Sequence, residues 1–296
     1  MSAAPPVAQV TPAGTSVPAG GRLPAQKKSR SLPRAIRFGL GLIVPTLIVG
    51  GWQLVVSAKL LPSALLPAPG KVIETFGLWL GIKDTPQMFY SGHLLGDVGA
   101  TSQRVIVGFA LATVMGVVVG TAIGVWTLAD YLLTPTLRVL GPIPPPTWIP
   151  VVIVIVGIGQ SANYTLTFLG ALFPVVASTV TAVSGVNREL LRAGRMMGHG
   201  QLGLIAQVVI PGALPGIVGG LRIGLGLAWM MAVTSEMLAV HSGLGYTLWN
   251  AYNYFDYPAV FAAMILTGLC GLLSDVVLQL LTRKATEWHA ETGVRR

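Results

Sequence analysis

Long apolar stretches alternate with short polar ones along most of this chain, and the lengths of the apolar stretches are the first informative quantity. One runs from 38 to about 56. Five more of roughly 20 residues or longer lie near 101–127, 132–158, 162–184, 212–240 and 258–282. About 20 apolar residues in a helix cross the hydrocarbon core of a bilayer, so the pattern predicts an all-α membrane protein of about six transmembrane helices. The third stretch contains Gly141-Pro142-Ile143-Pro144-Pro145-Pro146. Prolines there break helical hydrogen bonding, and broken backbone at membrane depth survives only against protein or a water-filled cavity.

Residues 1–30 are rich in Pro, Ala, Gly, Ser and Thr and too poor in large apolar side chains to offset ordering entropy. They predict a disordered cytoplasmic tail, followed by a membrane domain over 31–290. The apolar run after this tail is longer than the core of a signal peptide, which favours an uncleaved first span. The stretch 58–100 is the longest loop, opened by Pro62, Pro67 and Pro69, and 71–80 reads as a short amphipathic helix on the outer surface.

Composition agrees with the pattern: 53% of residues are hydrophobic and 10% charged, against about 25% charged in soluble domains. The net charge of +9 is a topology signal. With both termini in the cytoplasm, the inner side carries Arg22, Lys27, Lys28, Arg30, Arg34 and Arg37 in the tail. It also carries Arg138 in a loop around 128–138, Arg188, Arg192 and Arg195 in the loop 185–210, and Arg283, Lys284, Arg295 and Arg296 at the end. Only Lys59, Lys71 and Lys83 fall outside, as the positive-inside rule requires. Little polar surface is left for nucleic acid. Cys270 is the single cysteine and reads as a small packing residue. His93, His199, His241 and His289 lack metal-ligand spacing, and no catalytic or nucleotide-binding motif occurs.

Small residues recur every fourth position at Gly108, Ala112, Gly116, Gly120 and Gly124, and again at Gly212, Gly216, Gly220, Gly224, Ala228 and Ala232. Such stripes let another helix backbone approach closely, and their drift around a helix predicts a crossing contact. They serve either general packing or an interface around a path. The loop 185–210 reads as a short helix exposing Leu190, Leu191, Met196 and Met197, a turn at Gly198, a second amphipathic piece, and a new span set up by Pro211. An exposed amphipathic helix suits a partner's groove.

This loop resembles the EAA loop of ABC importer permeases, E-A-A-x-x-x-G, nine residues, then I-x-L-P. The pattern falls on Arg192, Ala193, Gly194, Gly198, Val208, Ile210 and Pro211 with its spacing intact. Two positions depart from it: the acidic one is Arg192 and the second alanine is Gly194. The resemblance extends over about 38–285. It includes Thr101-Ser102-Gln103-Arg104 with Gly108-Phe109, the Pro-rich span ending in Gly157-Ile158-Gly159, and Pro211-Gly212-Ala213-Leu214-Pro215 through Leu221-Arg222, Glu236 and Gly243-Leu244-Gly245-Tyr246. These are similar to the branch importing nitrate, sulfonates, taurine and bicarbonate.

The resemblance implies a type I importer permease fold in a bacterial inner membrane, working as a homodimer. It implies two ATP-binding subunits that hold ATP and Mg, a soluble or lipid-anchored substrate-binding protein, and no cofactor in this chain. Arg192, Ala193, Gly194, Arg195, Gly198 and Pro211 would then couple to the ATPase. No bond chemistry is expected of the chain itself. Two other cargo or energy sources stay open: an uncharged or vitamin-precursor solute, and an ATPase-independent secondary carrier.

Within the spans, Arg222, Glu236 and Arg104 are the candidate path residues. Arg222, ten residues past Gly212, lies near mid-membrane. It either guides an anion or hydrogen-bonds a carbonyl of the broken span at 142–146. Glu236 is too far along the same helix to pair with Arg222 and is placed near Arg104 at the outer end. Asp275 is expected toward the cytoplasmic end of the last span.

Overall fold

Helices α3 (Leu94–Val125), α6 (Gln160–Ser184) and α9 (Ile210–Ala239) form the centre of the molecule, and the small-residue stripes explain why. A methyl group at Gly108, Gly116, Gly120 or Gly124 of α3 would lie 2.7, 2.6, 2.6 or 2.5 Å from Thr167, Val175, Thr179 or Val183 of α6. The pairs 108/167, 116/175, 120/179 and 124/183 advance together, so α3 and α6 are parallel. On its other side α6 takes α9, where Gly216, Gly220 and Gly224 meet Ala182, Ser178 and Val175. These numbers run in opposite senses, so α9 is antiparallel. The expected crossing contact is instead a seam running most of the length of α3. Contact positions on α6 recur at the same four-residue spacing, so ridges of both helices stay interleaved.

The computed structural model describes residues 34–60, 62, 66–82 and 88–292, with side chains except at 34–40, 42 and 284–292. The tail 1–30, Lys83, Arg295 and Arg296 lie outside the described residues, as do the side chains of Arg34, Arg37, Lys284 and His289. Two units divide the chain, Met1–Gly50 and Gly51–Arg296. In the first, α1 (Arg34–Ser57) begins, with exposed side chains at Ile43, Val44, Leu47, Ile48 and Val49. Everything that follows concerns the second. Its remaining helices are α2 (Pro69–Trp79), α4 (Thr127–Leu140), α5 (Ile149–Val156), α7 (Arg188–Met196), α8 (Gln201–Leu204), α10 (Leu244–Asn253) and α11 (Tyr257–Thr292), and no strand occurs among the described residues.

Four helices are long and apolar enough to span a membrane: Leu94–Val125, Gln160–Ser184, Gln201–Ala239 and Tyr257–Arg283. A fifth crossing would be the pair Thr127–Leu140 and Pro145–Val156, bent by 94° at the proline cluster. The parallel arrangement of α3 and α6 decides that this pair crosses. Gly124 of α3 meets Val183 near the end of α6, whereas Arg104 of α3 bonds Gln160 at its start. Residues 126–159 must therefore return over 20 residues of α3, about 30 Å and one hydrocarbon thickness. Of the first expected span, the part whose side chains are described without a gap is the apolar helix Ile43–Ser57.

Two further expectations change. The loop around 128–138 is helix α4, entered after the single non-helical residue Trp126, with Asp130 in its first turn favouring the helix N-terminus. Arg138 therefore sits 11 residues, about 16 Å, along a helix. The surface helix expected at 71–80 forms over Pro69–Trp79, but Val72, Thr75 and Trp79 are buried and the helix packs on α11. Tyr90, beside Trp79, donates to Asp256 at 2.9 Å. Burial, with the hydrogen bond and charge of Asp256, raises the Tyr90 phenol well above its ordinary pKa, so it remains a donor. Helix α10, too short and polar to read as a span, completes this end.

Replacing Gly120 by Val should lower stability by about 1–3 kcal/mol through overpacking. Gly99→Ala, in the same helix but with nothing near the added methyl, should leave stability unchanged or raise it. Thermal unfolding of the purified protein in detergent distinguishes the two.

Candidate functional site

At the end of the bundle where α6 begins, the chain buries two carboxylates and an arginine. Arg104 and Glu236, 1% and 0% exposed, form an ion pair with Nη1 2.6 Å from Oε1. Burial of a charged pair is sustained only when its remaining donors and acceptors are filled. Arg104 donates through Nη1 to the Ser242 carbonyl, through Nη2 to Ser242 Oγ and through Nε to Gln160 Oε1. Glu236 Oε2 accepts from Thr101 Oγ1 and from the Gly245 N–H, both at 2.9 Å.

The same network caps α10. Its first N–H groups, at Gly243, Leu244 and Gly245, are met by Asp97 Oδ1, Thr101 Oγ1 and Glu236 Oε2. Asp97 also accepts from Trp79 Nε1 and Thr247 Oγ1. Gly243 has φ +108 and its Cα position faces Glu236 and Arg104 so closely that no side chain fits. Side chains from α3 and α9 thus satisfy the orphan donors of a helix that enters the bundle at this depth. The sequence placed Glu236 beside Arg104, and they are paired. It gave no sign of Asp97, Ser242 or Thr247, which are distant in the chain and meet only through the fold.

Arg222 lies elsewhere. Its guanidinium forks onto Asp275 of α11, Nε to Oδ1 at 2.8 Å and Nη2 to Oδ2 at 2.9 Å. Its partner is thus a carboxylate and not a carbonyl of the broken span. A one-residue shift in either helix would miss this pairing, and no local spacing encodes it. The pair is 47% and 28% exposed, in a groove that Gly219, Gly226, Gly268 and Gly271 keep open.

At the opposite end of the bundle stands the segment that resembles a docking loop. Asn187 caps α7 by accepting the Glu189 N–H at 2.8 Å, and Arg195 sits in its last turn. Gly198, at φ +82, turns the chain back, α8 follows, and a π turn over Ile205–Val209 leads into Pro211 at the start of α9. Leu190, Met196, Met197 and Leu202 are exposed at 54%, 88%, 70% and 76%, with Arg188, Arg192, Ala193 and Arg195 also exposed. Leu191, expected on the outer face, turns inward onto Val183, Val186 and Val209. Gly194 is buried, and a methyl there would lie 2.7 Å from the Leu204 side chain. Its departure from alanine fits the close packing of α7 on α8. Among the described residues no cluster of His, Cys, Asp or Glu could hold a metal ion.

Residues 96–287 match the family described as the binding-protein-dependent transport system inner membrane component. The chain is 33% identical over 256 residues, 86% of its length and 98% of the relative's, to an ABC transporter permease protein of Brucella abortus. It is 30% identical over 260 residues, 88% and 92% of the two lengths, to the taurine transport system permease protein of Escherichia coli K12. Among solved structures, an inward-facing conformation of the MetNI methionine ABC transporter is similar with a TM-score of 0.59 at 22% identity, covering 68% of this chain and 99% of that one.

Removing one partner of the buried pair, by Arg104→Met or Glu236→Leu, strands the other and should cost about 3–5 kcal/mol. The double variant should cost clearly less than the two singles combined. Unfolding temperatures of all three, measured side by side, check this.

Proposed function

This chain belongs to the binding-protein-dependent transport system inner membrane component family, and from that premise we propose that it is the membrane subunit of an ATP-driven importer for a small anion. It is an ABC importer permease, a transport subunit and not an enzyme. In our reading two copies line a central path in a bacterial inner membrane, with both termini cytoplasmic. Two ATPase subunits sit on the cytoplasmic face, and an external binding protein delivers the cargo.

The observation that carries this reading is α7. A nine-residue helix that, with the residues just after it, leaves four large apolar side chains in solvent is unfavourable on its own. It is capped at its start, closed at its end by a left-handed glycine, and joined through α8 and one π turn to the long helix α9. Force applied to α7 therefore reaches the α3–α6–α9 core directly. Residues 188–204 would dock in a cleft of the ATPase and pass its closure on nucleotide binding to the spans. Arg192, at the usually acidic position, leaves the exposed face basic, with Arg188 and Arg195 beside it and Glu189 the one acid of the helix. This face suits an acidic rim on the partner. Support for an anionic cargo comes from the similarity to permeases named for aliphatic sulfonates and for nitrate.

Co-purification of the tagged protein from its native membrane should recover an ATPase. Met196→Asp with Met197→Asp, on exposed positions that the fold does not need, should abolish its recovery while the permease remains folded. Gly198→Val, strained at φ +82, should weaken recovery as well. Recovery of the ATPase undiminished by either change would refute docking through α7.

A further inference from the structure

A cavity of about 660 Å³ lies between the bent span and the second half of α6. It runs beside Gly170–Val180, from mid-helix toward the α7 end, and its floor reaches Leu227 of α9. Gly141, Pro142, Ile143 and Pro145, the broken backbone itself, line one side. Arg138 of α4 lines it too. Arg138 is exposed and makes no hydrogen bond or ion pair among the described residues. The other two arginines with described side chains in the spanning core, Arg104 and Arg222, each hold a carboxylate.

Two independent features therefore point to water in this cavity. An unpaired arginine at membrane depth is costly unless it faces a wet interior. Broken backbone at that depth is tolerated only where it is covered by protein or lines such a space. Both features open on the same volume.

We propose that this cavity is the substrate-holding part of the path, with Arg138 as its anion-binding residue, and that the cargo is an organic oxyanion carrying an apolar body. The proposal rests on the importer reading above and deepens it. A guanidinium presents a planar fork that matches the oxygens of a sulfonate or carboxylate. The rest of the wall is apolar, with Leu137, Ile143, Phe173, Val176 and Leu227 facing the space. Thr134, the hydroxyl at the rim, already donates to Asp130. A bare inorganic oxyanion would leave most of its oxygens without donors here, whereas a sulfonate with an alkyl or aryl group sets one end on Arg138 and buries the other. The volume falls within the range of small-molecule sites and well exceeds a bare oxyanion. Arg222, neutralised by Asp275, is excluded from this role.

The test is equilibrium binding of radiolabelled benzenesulfonate to the permease–ATPase complex in nanodiscs, with nitrate and benzyl alcohol as comparisons. Wild-type complex should bind benzenesulfonate at least about tenfold more tightly than either comparison, and Arg138→Gln should lose about tenfold. Arg138→Lys should recover part of the loss, and retention of the ATPase reports that each variant folds. Unchanged binding in Arg138→Gln, or no binding to wild type, would overturn the assignment of the site. Nitrate binding as tightly as benzenesulfonate would overturn the apolar body. If the complex takes up neutral solutes under ATP and no anion of any kind, the anion-importer reading itself falls, and this inference with it.

Discussion

Close approach of α3 and α9 to the two faces of α6 is the constraint on which the remaining architecture depends. Glycines at four-residue intervals let backbones approach to distances at which a single methyl would collide with the neighbour. In a membrane, where lipid is as apolar as leucine, such contact replaces hydrophobic burial as a source of association. The seam also sets direction. Because α3 and α6 run parallel, the chain between them must recross the bundle, and the only segment available is the proline-broken one. The fold thereby commits an irregular, bent stretch to membrane depth, and with it Arg138.

Polar groups divide between the two ends of this core in a way that fits their chemistry. At one end the charges are dry and saturated. Arg104, Glu236 and Asp97 have their hydrogen-bonding capacity filled by α10 and by each other, which makes that end a rigid clamp. At the other end most side chains of α7 are exposed, and no described residue covers them. The buried cluster, helix α9 and the exposed helix α7 lie in series along the bundle, with the bent span and its cavity between its two ends.

How much of this was legible in the sequence varied with the range of the interaction. Four of the apolar stretches, the break at 142–146 and the helix–turn–helix from Arg188 to Pro211 are local patterns that produced the elements expected, whereas the stripes gave a long seam where a crossing contact was expected. The buried Arg104–Glu236 pair was reachable because both lie near span ends, so depth alone brings them together. Asp97 and Thr247 were invisible because their partners are 146 and 150 positions away. Arg222 was given the wrong neighbour, Asp275 taking the place of a carbonyl of the broken span, since position along a helix does not specify the azimuth of a side chain. Arg138 was assigned to a loop because the connection after α3 was expected to be several residues long, whereas one residue suffices.

The central claim is that this chain transports only when a separate ATPase drives it. The most direct measurement is uptake of a labelled organic sulfonate into liposomes containing the purified permease, its ATPase and its binding protein, with and without ATP. The account predicts concentrative uptake that requires both ATP and the ATPase. Uptake by the permease alone, driven by an ion gradient and indifferent to ATP, would contradict it.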